Sequence, residues 1–79
     1  MNLLVTGAAG FIGSHFVLRH SAAHPSDAIV VLDKLTYAAD KSFLDPIAEQ
    51  ITFVEGDIAD QALVTGLVEE DQIDTIVNF

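Results

Sequence analysis

Thr6-Gly7-Ala8-Ala9-Gly10-Phe11-Ile12-Gly13 decides the fold: a G-x-x-G-x-x-G loop standing between an apolar run and a stretch of helical spacing. Upstream, Asn2-Leu3-Leu4-Val5-Thr6 reads as a short parallel strand buried on both faces, stopped by Gly7. Downstream, helical spacing runs from Phe11 to about Ala22, with Ile12, Phe16 and Arg19 or His20 marking successive turns. His24-Pro25-Ser26-Asp27 then breaks it. Each glycine meets a separate demand. Gly7 suits a sharp turn in which φ becomes positive. Gly10 leaves no side chain between a pyrophosphate and the helix N-terminus, and Gly13 lets the helix approach the sheet. Free N–H groups around Gly10 to Ile12, with the helix dipole behind them, can bind a diphosphate without a basic residue.

The strand–helix rhythm continues outward. Ala28 to Leu32 is a second apolar strand closed by Asp33, and Lys34 to Lys41 reads as a loop. A short helix over Ser42 to Ala48 carries Pro46 in its middle, which disturbs it. Ile51 to Glu55 is a third strand, with Gly56-Asp57 turning out of it. Asp60 is placed to cap a helix over Gln61 to Glu70, whose Leu63, Val64, Leu67 and Val68 form one stripe. Asp74 to Asn78 is a fourth strand. This alternation predicts an α/β, Rossmann-type three-layer fold with a parallel sheet in the order 3-2-1-4. Two helices should lie on one face and one on the other, leaving the second face thinly covered and the fourth strand as a free edge.

A glycine trio can serve turns alone, so its companions carry the weight. Asp33 lies twenty residues beyond Gly13 and closes the second strand. A carboxylate there accepts hydrogen bonds from the adenosine ribose hydroxyls. It also repels a 2′-phosphate, which favours NAD over NADP, although neighbouring Lys34 could soften that repulsion. Asp57, after the third strand, has two readings: contact with the adenine edge, with Ile58 as an apolar flank, or a loop aspartate near a helix start. Tyr37-Ala38-Ala39-Asp40-Lys41 matches the Y-x-x-x-K spacing of a tyrosine base and its lysine, but it stands at the adenosine end, far from a nicotinamide. Coincidence accounts for it better.

Bulk properties narrow the classes further. At 79 residues the chain holds one small domain. Chains of that size bury only roughly 60–65% of their unfolded surface. Three basic residues oppose twelve acidic ones, a net charge of −9 that disfavours nucleic acid and anionic membranes as partners. With no cysteine there is neither a disulfide nor a thiolate metal site, and a cytoplasmic location is expected. His20 and His24 are four apart, yet helix-end histidines are the simpler reading and no metal is expected. No apolar run is long enough for a membrane span.

The stretches from Val5 to Ser14 and from Leu32 to Ala38 resemble the extended short-chain dehydrogenases/reductases of the NAD-dependent epimerase/dehydratase family. The Asp33-Lys34-Leu35-Thr36-Tyr37-Ala38 run is most similar to its nucleotide-sugar 4,6-dehydratase branch, which acts on dTDP-glucose, and Gly56-Asp57-Ile58 adds support. Members often continue Tyr-Ala with Gly-Asn, where this chain has Ala39 and Asp40. The resemblance implies NAD contacts at Phe11, Ile12, Asp33, Lys34, Leu35, Thr36, Asp57 and Ile58. It implies oxidation at the sugar C4, loss of water between C5 and C6, and reduction at C6, giving a 4-keto-6-deoxy sugar. The groups assisting those steps follow the fourth strand in the family. Residues 1–79 are therefore expected to be the N-terminal part of an NAD-binding domain, inactive alone, from a homodimeric parent. The alternatives are a nucleotide-sugar 4-epimerase of the same superfamily and a non-catalytic, NAD-binding fragment that self-associates through its open edge or thinly covered face.

Overall fold

A computed structural model describes residues 1–35 and 41–79. Four strands, β1 (Asn2–Thr6), β2 (Ala28–Asp33), β3 (Thr52–Glu55) and β4 (Thr75–Asn78), form one sheet in the order β3-β2-β1-β4. All three pairings are parallel, with Leu4 opposite both Val30 and Ile76, and Val30 opposite Thr52. Helices α1 (Phe11–Ala23) and α2 (Gln61–Glu70) and a 3₁₀ helix (Lys41–Ile47) make the connections. The expected sheet order holds, and element ends differ from the sequence reading by a residue.

Alternation along the two central strands builds two cores. Leu3, Val5, Ile29 and Val31 point to the face covered by Val17 of α1 and Leu44 of the 3₁₀ helix. Leu4, Val30 and Leu32 point to the other, against Leu63, Val64, Leu67 and Val68 of α2. The central strands are buried on both faces because crossover helices lie above and below them. The second face is the thinner one: α2 is its only helix among the described residues, and no α2 residue is fully buried.

One expectation needs correction. The segment read as a helix over Ser42 to Ala48 is a 3₁₀ helix, Lys41–Ile47, with Pro46 inside it. Proline cannot supply the N–H of a regular α-helical ladder, and the tighter form suits so short a piece. Of the residues marking successive turns of α1, Phe16 packs partly buried against the first core and His20 is half-buried, whereas Ile12 is 73% exposed and Arg19 is exposed. The fully buried stripe is Gly13, Ser14, Val17 and Ser21, mostly small residues. Small side chains bring the helix close to the strand ends. Ser14 and Ser21 avoid a desolvation cost by donating to Phe11 O (2.9 Å) and Gln50 Oε1 (3.0 Å).

At the far end of α1, His20 Nε2 pairs with Asp27 Oδ2 at 2.8 Å. Helix α2 starts as expected, with Asp60 Oδ1 accepting from the Leu63 N–H at 3.1 Å. Among the described residues, no helix is long and apolar enough to cross a membrane.

Candidate functional site

The carboxyl ends of the strands open into one crevice of about 200 Å³, at the point where the strand order reverses, β2 and β3 lying to one side of β1 and β4 to the other. Its lining includes Thr6 and Gly7 from β1, Asp33 and Lys34 from β2, Ile58 beyond β3, and Asn78 from β4. Ligand sites in open parallel sheets form at such a reversal of strand order. The volume is below the roughly 300 Å³ at which small-molecule pockets begin, so the crevice holds part of an extended ligand.

Gly7 turns the chain out of β1 at φ +74°. A Cβ there would stand 2.8 Å from Phe79 O, so the position excludes a side chain twice over. Gly13 is tighter still: its Cβ would meet Gly7 O at 2.7 Å and Ala8 Cα at 2.8 Å. The close approach is thus between the helix start and the glycine loop itself. Gly10 differs from both. Its Cβ would find only Gly7 O, at an ordinary 3.4 Å, so the fold does not forbid a side chain there. Gly10 is the N-cap of α1 and supplies no side-chain cap. The first-turn N–H groups of a helix have no acceptor within it, so the start of α1 presents uncapped donors, flanked by the exposed Phe11 and Ile12.

Asp33, only 8% exposed, ends β2 beside this loop. Its Oδ2 accepts from the Ala9 N–H at 2.9 Å and its Oδ1 from the Leu35 N–H at 2.8 Å. A carboxylate has about four acceptor positions, so two remain for ligand hydroxyls. Lys34 does not soften this charge by pairing with it. Its ammonium sits 3.3 Å from Asp57 Oδ2 instead. Asp57 Oδ1 accepts from the Ala59 N–H at 2.9 Å, the local turn expected of an aspartate ahead of a helix. Ile58 lines the crevice and is half exposed, as an apolar flank requires. Thr36, the Tyr37–Asp40 part of the tyrosine–lysine pattern, and the Lys41 side chain lie outside the described residues.

Three features of this site escaped the sequence reading. Thr6 Oγ1 donates to Asn78 Oδ1 across β1 and β4, fixing the crevice floor. The Ala9 N–H is committed to Asp33, and Leu35 adopts φ +56°. Only the habit of aspartate to bond its own backbone two residues on could have signalled the last of these.

The epimerase model, described as the NAD dependent epimerase/dehydratase family, matches residues 3–79. The chain belongs to that family. Among its relatives, the dTDP-glucose 4,6-dehydratase of Mycobacterium tuberculosis is 52% identical over 81 aligned residues, which take in all of this chain and 23% of that protein. The crystal structure of the Bacillus anthracis dTDP-glucose 4,6-dehydratase in complex with NAD superposes with a TM-score of 0.97 at 37% identity, covering all of this chain and 26% of the other. A UDP-glucose 4-epimerase of Stenotrophomonas maltophila, with bound NAD and formylated UDP-arabinopyranose, gives 0.87 at 34% identity, covering all of this chain and 24% of that one. The chain thus spans about a quarter of the length of the epimerase/dehydratase family members it matches.

The Lys34–Asp57 contact carries a measurable sign. The Ala59 N–H, and after it the Lys34 ammonium, hold the Asp57 carboxyl below its ordinary range. A depressed value means that these contacts favour the folded state fully above the usual carboxylate pKa of about 3.9 and are lost as pH falls through the lowered one. In Lys34→Met, Asp57 should titrate higher than in the parent yet remain below the ordinary value, because the backbone donor is the larger cause. Carboxyl-carbon NMR titration reads this directly, and a return to the ordinary value would contradict the assignment.

Proposed function

We propose that these residues form the N-terminal, NAD-binding part of a nucleotide-sugar 4,6-dehydratase that converts dTDP-glucose to dTDP-4-keto-6-deoxyglucose. The observation carrying the cofactor reading is a side-chain-free, uncapped helix start set beside a buried carboxylate at the end of the neighbouring strand. The residues fit the group. The amides at Phe11 and Ile12, with Gly7, Gly10 and Gly13 shaping the turn, receive the diphosphate. Asp33 accepts from the adenosine ribose, Lys34, Leu35 and Thr36 flank it, and Asp57 with Ile58 borders the adenine. NAD, when bound, supplies a reversible hydride acceptor. The chain's own task is to hold it in register. Asp33 favours NAD over NADP by opposing a 2′-phosphate, and the pairing of Lys34 with Asp57 keeps that opposition intact.

The dehydratase chemistry is supported by the 52% identity to a dTDP-glucose 4,6-dehydratase across this whole chain, and, among solved structures, by 37–48% identity to dTDP-glucose 4,6-dehydratases against 28–37% to UDP-glucose 4-epimerases. No residue of 1–79 is assigned to catalysis, and this portion alone should be inactive. The native protein is taken to be a homodimer on the family resemblance, and cytoplasmic on its lack of cysteine. Its net charge of −9 supports neither nucleic acid nor an anionic membrane as partner.

The test is to incubate the protein in its full chain with dTDP-glucose and NAD. A 4-keto-6-deoxy sugar, detected by its absorbance in alkali and by mass, is the expected product. Competent NAD binding with no loss of water would overturn the dehydratase reading, and accumulation of the 4-epimer would replace it with the epimerase one.

A further inference from the structure

We infer that Asp33 is a positioning residue for the diphosphate loop as well as a ribose acceptor, so cofactor preference cannot be reversed by neutralising it. Its cofactor arm rests on the NAD reading above, whereas its structural arm does not.

Asp33 adds ties between the glycine loop, its own turn and the exit of β3 to the one that the Gly7 N–H makes with Leu32 O at 3.0 Å. Oδ2 holds the Ala9 N–H in the middle of the glycine loop, 24 residues earlier in the chain. Oδ1 holds the Leu35 N–H, closing a turn over two residues. The Asp33 carbonyl oxygen accepts from the Gly56 N–H at 3.0 Å, tying in the exit of β3. Leu35 sits in the left-handed region at φ +56°, which a residue with a Cβ occupies only at an energetic cost. The bond from its N–H to Asp33 helps hold it there. Burial strengthens both side-chain bonds, since a carboxylate at 8% exposure has little water to compete for it.

A residue acting only as an electrostatic filter behaves differently from a clasp when its charge is removed. For a filter, Asp33→Asn relieves repulsion, and NADP binds better than before. For a clasp, the amide has one oxygen for two N–H donors. Whichever it satisfies, its NH₂ opposes the other, and one tie is lost.

Hydrogen exchange in the cofactor-free protein, in its full chain, tests this first. The Ala9 and Leu35 amides should be protected although they lie in loops, whereas Ile12, in the uncapped first turn, should exchange freely. Ala9 exchanging as fast as Ile12 would overturn the inference without any variant. In Asp33→Asn, one of the two protected amides should exchange at least about tenfold faster, matching loss of a hydrogen bond to a charged acceptor. NAD affinity should fall, and NADP affinity, although relieved of the repulsion, should not rise above that of the unmodified protein. Unchanged exchange at both amides, or NADP binding above the unmodified level, sinks the proposal. If the unmodified protein binds no NAD, the cofactor reading fails while the exchange result still decides the clasp.

Discussion

Gly13→Ala should cost about 2–3 kcal/mol of stability and abolish dinucleotide binding. The added Cβ meets two main-chain atoms, Gly7 O at 2.7 Å and Ala8 Cα at 2.8 Å, and neither can rotate away as a side-chain tip would. Relief requires the start of α1 to move off the loop. That movement displaces the uncapped amides from the turn that Gly7 makes at φ +74°. Gly66→Ala is the matched control. It lies within α2, its Cβ would meet nothing within 4 Å, and alanine should add about 0.5–1 kcal/mol there. Urea unfolding and NAD titration of both variants separate a local clash from a general intolerance of added bulk. Parental stability in Gly13→Ala would refute the packing argument.

Leu4→Ala is expected to have the largest purely structural effect, a loss of about 2–5 kcal/mol. Leu4 is 1% exposed in the middle of β1, paired on both sides by Val30 and Ile76. A typical domain is stable by only about 5–15 kcal/mol, so this single truncation removes a large fraction. Leu67→Ala, facing the same core from the half-buried side of α2, should cost less than about 2 kcal/mol. Comparable losses in the two variants, measured by chemical denaturation, would contradict the picture of a core centred on β1 and β2.

The sheet was legible because its signals are local and redundant. Runs such as Ile29-Val30-Val31-Leu32 have no other stable disposition than a strand covered on both sides, and the direction of the crossovers then dictates the order β3-β2-β1-β4. The glycine loop was legible for the same reason: Gly7 answers a positive φ and Gly13 a clash with Gly7 and Ala8, both local, although the approach of Phe79 to Gly7 is not. The packing face of α1 was not. Helical spacing marked Ile12 and Phe16, of which only Phe16 packs against the core, while proximity to the strand ends selected Gly13, Ser14, Val17 and Ser21. Hydrophobicity ranks side chains by their aversion to water and is silent about clearance. The link between Asp33 and Ala9 was hidden for another reason. It depends on the relative placement of two loops 24 residues apart, which exists only once β1 and β2 have paired.

Because the start of α1 offers main-chain donors, the number of residues in the turn matters as much as their identity, as the tight spacing of Gly7 and Gly13 already implies. One residue inserted or deleted between those two glycines rotates the following helix by about 100° about its axis. The donors then sweep past the strand ends and aim elsewhere. The length of this segment is therefore held as tightly as its two crowded glycines.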